Sequence, residues 1–221
     1  MAYINEKLIL PIADKYFGNS ISEKLRFLNK SQWWSHSEMV AFQIVRLKIV
    51  LEYAFANIGY YKAIAKKTKL TANDFNSIDD LQKLPIITKE VVREQGYAQF
   101  VSENFPKRET LPFFTSGSSG QPYSYFLSKD SYSFKYAAAI RGWQWMGFEL
   151  GDSYAKLSQN KRKGWKKKFQ DRVNRCSYYY VPDLKDETLY LLIQKLDRDR
   201  PPYIRSYPDS IDRKSTRLNS S

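Results

Sequence analysis

One cysteine, Cys176, and one histidine, His36, are present among 221 residues. A lone cysteine excludes an internal disulfide framework, and one of each leaves no Cys/His cluster for zinc. His36 stands between Ser35 and Ser37 at an expected helix start, where a solvated side chain is the plain reading. No apolar run approaches the roughly 20 residues of a membrane span, and the N-terminus lacks the apolar stretch of a signal peptide. A cytoplasmic location is therefore expected. Glycine is sparse at nine residues, and two of the nine fall three apart in one short stretch.

Aromatic residues are abundant, with 17 Tyr, 13 Phe and 5 Trp, so the composition is that of a folding chain. The length suffices for one good core or two small domains. The net charge of +13 is strongly basic. Its last ten residues, Asp212 to Ser221, resemble the translation of a sequencing adapter, and such a scar is kept out of fold reasoning. Removing Asp212, Arg213, Lys214 and Arg217 lowers the charge by two and leaves it basic. On that reading the natural chain was cut near Ile211, and the sequence is an N-terminal fragment.

The stretch Leu111 to Ser128, LPFFTSGSSGQPYSYFLS, carries that glycine pair, Gly117 and Gly120. Small hydroxyl residues Thr115, Ser116, Ser118 and Ser119 crowd between two aromatic, strand-prone segments. Such residues gain little from burial, and each Gly adds backbone entropy that folding must remove. What the loop can do is converge backbone N–H groups and hydroxyls on an anion, most often a phosphate. A plain Gly/Ser hairpin turn is the competing reading. The stretch is not a Walker A loop, because no Lys-Ser/Thr pair follows Gly120. Nor do Gly117 and Gly120 fit a dinucleotide fingerprint.

Elsewhere the chain carries local signals for helices and strands. Pro11 and Gly18-Asn19 are expected breaks, with a short helix over Ile21 to Lys30. Ser35 and Glu38 form a capping box ahead of a long helix. Val40, Ile44, Leu47, Leu51, Ala54 and Ile58 line one face of that helix. Asn57 and Gly59 stop it, and a shorter helix spans Tyr60 to Lys67. A turn-rich passage follows from Thr71 to Asp80. Thr88 caps a helix that Gly96 ends. Lys129 to Met146 reads as a helix whose apolar face includes Phe134, Ala137, Ile140, Trp145 and Met146, with Gly147 as its C-cap. Core packing is expected of Trp143 and Trp145. A strand over Ser153 to Leu157 precedes Cys176 to Val181. Then comes a helix with Leu189, Leu192, Ile193 and Leu196 on one face, and a strand from Tyr203 to Tyr207. Strand, helix, strand implies a parallel sheet.

Taken with its surroundings, TSGSSGQP resembles the T-S-G-T/S-T-G-x-P phosphate loop of the adenylate-forming enzymes, the acyl-CoA ligases and their relatives. Thr115, Ser116, Gly117, Ser118, Gly120 and Pro122 match, Gln121 falls at the tolerant position, and Ser119 keeps a hydroxyl where Thr is usual. Many members place a Lys beside the Pro, where this chain has Gln121 and Tyr123. NIGYYK and LQKLPIITKE ahead of the loop resemble elements of the phenylacetate–CoA ligase-like branch. LPIADKYFGNSI and SQWWS are similar to its CapK-type members from capsular polysaccharide loci. PPYIRSYPDSI resembles the K-P-x-x-I-x-G-Y-P-S element, with Ser206 in place of Gly.

This resemblance implies an α/β fold, the N-terminal part of the large domain of an adenylate-forming enzyme. A helical N-terminal region would be followed by strands and helices of a mixed or parallel sheet. The implied division is 1–110 for the helical region, 111–211 for the start of the nucleotide-binding core and 212–221 for the non-native tail. The implied reaction uses ATP to activate a small carboxylate as an acyl-adenylate, after which a thiol such as CoA takes the acyl group. Thr115, Ser116, Gly117, Ser118, Ser119 and Gly120 would hold the ATP phosphates, with Mg²⁺ bound through phosphate oxygens. The family's aromatic-Gly-x-Thr-Glu motif, ribose-binding Asp and C-terminal-domain Lys do not occur in these residues. The chain alone is therefore expected to be inactive and to expose apolar surface and sheet edges.

The segment Lys156 to Arg175 carries nine Lys/Arg against one acid, Asp171. A solvated basic loop is its plain reading. An anionic membrane surface or a nucleotide-linked ligand is the leading functional one, ahead of nucleic acid. Trp165 and Phe169 lie four apart, which fits an amphipathic surface helix. Two other classes stay open: a basic nucleic-acid-binding module, and a non-catalytic scaffold in polysaccharide assembly.

Overall fold

The computed structural model describes residues 4–114, 124–181 and 185–206, apart from the side chain of Lys166. The fold is α/β, helical up to residue 100 and then combining helices with two small sheets, as the sequence implied. It divides into two units: residues 23–136 form one, and residues 1–22 with 137–221 form the other.

Helix α1 (Leu10–Phe17) follows a wider turn at Asn5–Ile9, so the chain is helical straight through Pro11. The expected break at Pro11 does not occur. Proline is tolerated in a first turn, where its missing N–H has no partner to lose. Gly18 does end the helix, in the left-handed conformation at φ 66°. The buried Asp14 carboxylate then accepts from the Ser22 backbone N–H at 2.7 Å, at the start of α2 (Ile21–Ser31).

In the unit of residues 23–136, α3 (His36–Asn57) opens on the expected capping box. The Glu38 N–H donates to Ser35 Oγ at 3.3 Å, and the Ser35 N–H donates to the Glu38 carboxylate at 2.7 Å. Its stripe works as the spacing predicts: Leu51 and Ala54 are buried, and Leu51 packs with Ala72 and Phe75. Phe75 is 0% exposed, and Leu47, Phe55, Leu70 and Leu84 close around this core. A second face of α3 stays bare, with Val45, Ile49 and Val50 exposed.

The NIGYYK element is a structural clamp. Ile58 leaves helical geometry and bridges Ser102, between α3 and α4 (Gly59–Thr68). The Asn57 carbonyl accepts from the Glu103 N–H at 3.1 Å, Tyr60 stacks on Phe100 at 4.5 Å, and Lys62 pairs with Glu103 at 2.7 Å. In LQKLPIITKE, Leu84 joins the Phe75 cluster, and Thr88 Oγ1 accepts from the Val91 N–H at 3.3 Å to cap α5 (Lys89–Gln95). Both elements hold the helical region together.

Strands β1 (Thr110–Phe114) and β2 (Ser124–Ser128) pair antiparallel, and β2 runs directly into α6 (Lys129–Gln144). Residues of α6 up to Tyr136 belong to the first unit and the rest to the second. Gly147 caps this helix as expected. With φ at 82° it donates to Gln144 O at 3.0 Å while the Phe148 N–H reaches back to Trp143 O at 3.1 Å, a Schellman pair.

The second unit is built on a parallel sheet of β3 (Tyr154–Ser158), β4 (Cys176–Tyr180) and β5 (Ile204–Arg205), in the order β4-β3-β5. Helices α7 (Trp165–Val173) and α8 (Asp186–Asp199) make the crossovers that parallel pairing requires. Ala155, Leu157, Tyr179, Val181 and Leu192 form its core, with Leu196 packed against it. The α8 face is the one its spacing predicts. Core packing of the tryptophans is only half met: Trp143 packs edge-on to Phe148 at 5.7 Å, whereas Trp145 is 69% exposed. Met146 is exposed as well, because the turn that Gly147 closes carries both side chains away from the buried Ala137–Ile140 face.

Truncating Phe75 to Ala is expected to cost about 3–5 kcal/mol, read by urea unfolding, since the ring is wholly enclosed. Acid sensitivity is expected in the same unit. The Lys83 ammonium and the Asn76 and Ser77 amides hold the Asp80 carboxyl well below the usual range, and Thr71 does the same for Asp74 through its backbone amide and hydroxyl. Groups with depressed folded pKa values stabilise above their unfolded values, near pH 4, and lose that contribution as pH falls. Melting temperature should therefore drop on acidification below about pH 4, and less steeply in Asp80→Asn.

Candidate functional site

The six expected phosphate-binding residues, Thr115 to Gly120, lie outside the described residues. The structure does define the mount that carries them. Register pairs Thr110 with Ser128 and ends on the pair Phe114 and Ser124, so the nine residues between must cross from one strand end to the other. Two strands so joined fix where the loop leaves the body and where it returns.

The hairpin has two faces of different character. Leu111, Phe113, Tyr125 and Leu127 are half-buried on one side, where Phe113 stacks on Tyr125 at 5.9 Å. Tyr132 packs against Phe113 at 6.1 Å, and the Lys135 ammonium sits 4.8 Å from the Phe113 ring centre. On the other side Phe114 and Phe126 are bare, at 71% and 55% exposure. A β-strand alternates faces at every residue, so this split follows from the sequence once one face is covered.

The C-terminal end of the hairpin is tied to α6. Ser128 Oγ accepts from the Ser131 N–H at 3.0 Å, an N-cap made by the last strand residue. Asp130 in the first turn pairs with Lys24 of α2 at 2.7 Å, and Phe134 meets Phe27 at 5.9 Å. Phe27 also contacts Trp34 and Phe42, at 5.6 and 5.3 Å, so the SQWWS stretch serves this packing through its second Trp. Strand, cap and helix thus form a continuous support below the loop. A hairpin leading into a capped helix allows a hydroxyl- and glycine-rich loop to aim donors at an anion, and it equally serves a plain turn.

A second candidate surface lies in the other unit, along Lys156 to Arg175. The expected loop there is in fact strand, turn and helix. Arg162 donates to the buried Asp171 through Nε at 2.6 Å and through Nη2, which removes the only acid of the segment from solvent. Arg162, Lys168, Arg172 and Arg175 border an open cleft of about 510 Å³ with Cys176 and Tyr178. Burial pushes the Cys176 thiol up, which disfavours the thiolate and with it nucleophilic chemistry. His36 is exposed in the first turn of α3, as expected of a solvated residue. Among the described residues no group of three or more His, Cys, Asp and Glu side chains could hold a metal ion. No described helix is long and apolar enough to cross a membrane.

No family model matches the sequence, nor does any curated protein. Solved structures of 2-hydroxyisobutyryl-CoA ligase do match the fold. One, in the postadenylation state with R3-HIB-AMP, aligns with a TM-score of 0.56 at 19% identity, over 76% of this chain and 36% of that one. A second, with 2-HIB-AMP and CoA in the thioesterification state, gives 0.56 at 19% identity over 77% and 37%. An open conformation with 2-HIB-AMP and CoA gives 0.55 at 18% over 76% and 40%. At this identity the likeness is one of fold. The described fold is similar to that of the part of 2-hydroxyisobutyryl-CoA ligase that these alignments cover, and the chain spans 40% or less of those proteins' length.

Two outcomes are expected at these surfaces. Ser128→Ala removes the α6 cap and should lower stability by about 1 kcal/mol in urea unfolding. Cys176 should react slowly with a thiol reagent at neutral pH in the folded chain and far faster once unfolded, with the folded rate still climbing above the ordinary thiol range.

Proposed function

We propose that these residues belong to an ATP-dependent, carboxylate-activating ligase that forms an acyl-adenylate, and that Thr115 to Gly120 hold its phosphates. The observation that carries this reading is the β1–β2 hairpin. It suspends TSGSSG between register-fixed strands and a capped helix, in a fold shared with a ligase solved with an acyl-adenylate and CoA. In the reaction the carboxylate oxygen attacks the α-phosphorus of ATP, forming a C–O–P anhydride and expelling pyrophosphate. A thiol such as CoA then attacks the acyl carbon and releases AMP. The loop's task is electrostatic: N–H and O–H donors fixed in advance hold the β- and γ-phosphates as charge moves onto the leaving group. Mg²⁺ would sit on phosphate oxygens and share that charge.

The finer assignment to the phenylacetate–CoA ligase-like branch rests on NIGYYK and LQKLPIITKE, and that to its CapK-type members on LPIADKYFGNSI and SQWWS. The exposed apolar face of the hairpin suits a chain in which further protein covers Phe114 and Phe126. On this proposal the 221 residues bind phosphates without turning over.

Calorimetric titration of the purified chain with Mg·ATP tests it. Binding is expected, weakened by about tenfold or more in Gly117→Val and in the Ser116→Ala, Ser118→Ala pair. ATP–pyrophosphate exchange by the chain alone should be nil. Binding indifferent to both loop variants, or no binding, would contradict the reading.

A further inference from the structure

We propose that helix α7 docks this protein onto an anionic phospholipid bilayer, its apolar stripe entering the headgroup boundary and its cations meeting lipid phosphates. The inference stands apart from the ligase reading and uses none of the loop residues.

Trp165, Phe169 and Val173 are spaced by four and form one stripe along α7, at 73%, 65% and 59% exposure. Asp171 lies roughly 200° round the helix from Phe169 and from Val173, and it is the side chain that α7 turns inward. The helix is therefore held by one side, with large apolar groups standing on the opposite one. Such a stripe is expensive to leave in water and finds its natural partner in an apolar phase.

Charge decides which partner fits. Lys168 and Arg172 are exposed and border the stripe, and Arg175 follows just past the helix end. Their one acidic neighbour is already bound by Arg162 in the bidentate pair. What α7 shows to solvent in this region is thus mainly cationic and apolar; its one carboxylate, Asp171, reaches the cleft lining but is largely buried and neutralised by Arg162. A protein partner that buried this surface would have to match three cations beside a flat aromatic stripe. An anionic bilayer supplies both halves at once, acyl chains for the rings and phosphates for the cations. The cleft of about 510 Å³ beside Lys168, Arg172 and Arg175 is of a size to receive a headgroup. Each cation near such a surface strengthens attachment, and the contribution fades as salt screens it.

Co-sedimentation of the full chain with large vesicles tests this, comparing phosphatidylcholine alone with phosphatidylcholine containing phosphatidylglycerol. Binding is expected to the mixed vesicles only, and to fall as salt rises. Partitioning should drop by about tenfold or more in the Trp165→Ser, Phe169→Ser pair and in the Lys168→Glu, Arg172→Glu pair. All four side chains are exposed, so folding should survive, which circular dichroism of each variant is to check. Because the loop is not involved, Gly117→Val should bind vesicles as the parent does. Equal binding to neutral and anionic vesicles would overturn the proposal, as would none to either. So would binding that the apolar pair leaves unchanged, which is attraction by charge alone. Preference for duplex DNA over vesicles would make the surface a nucleic-acid interface instead. Self-association abolished by the apolar pair, without vesicle binding, would make it a contact between copies.

Discussion

The antiparallel register of β1 and β2 is the constraint on which the candidate site depends. It sets Phe114 opposite Ser124 and so brings together the two ends of the segment between them. Glycines and small hydroxyl residues bring many conformations, and a phosphate site needs few. The register supplies part of that restriction, and the Ser128 cap supplies more by joining the returning strand to α6 without a linker. A slip of β2 by one residue would turn that strand over, placing Phe126 inside and Tyr125 in water. The stack of Phe113 on Tyr125, with Tyr132 beside it, resists that shift.

Below the hairpin, the elements that resemble a known family prove to be joints. Asn57, Ile58, Tyr60 and Lys62 fasten the break between two helices to residues 100–104. Leu84 and Thr88 attach the next passage to the Phe75 core and to α5. Each of these elements depends on a particular partner at a particular place. They mark an architecture, and on the proposed reading the chemistry belongs to the loop between β1 and β2.

What could be read in the sequence was local. Ser35 with Glu38, Thr88 and Gly147 all cap the helices they were expected to cap, because each needs only three or four neighbouring residues to declare itself. The α8 face was equally legible from spacing. Proline misled at Pro11, since a residue that stops a helix in its interior is harmless in its first turn. Trp145 and Met146 misled because periodicity names a face without saying how far its cover extends. That β3 stands between β4 and β5 depends on pairing across more than 20 residues, which no local pattern carries. The stripe on α7 was half visible: Trp165 and Phe169 were apparent, but the pairing of Arg162 with Asp171, which orients the helix, was not.

Two surfaces on this chain have the chemistry to meet phosphate, the loop on its hairpin and the cations around α7. Amide chemical-shift mapping during titration with inorganic pyrophosphate separates them in one experiment. The account predicts the largest shifts in Thr115 to Gly120 and in their strand neighbours Phe114 and Ser124. Shifts confined to Lys156–Arg175, with the loop amides unmoved, would contradict it.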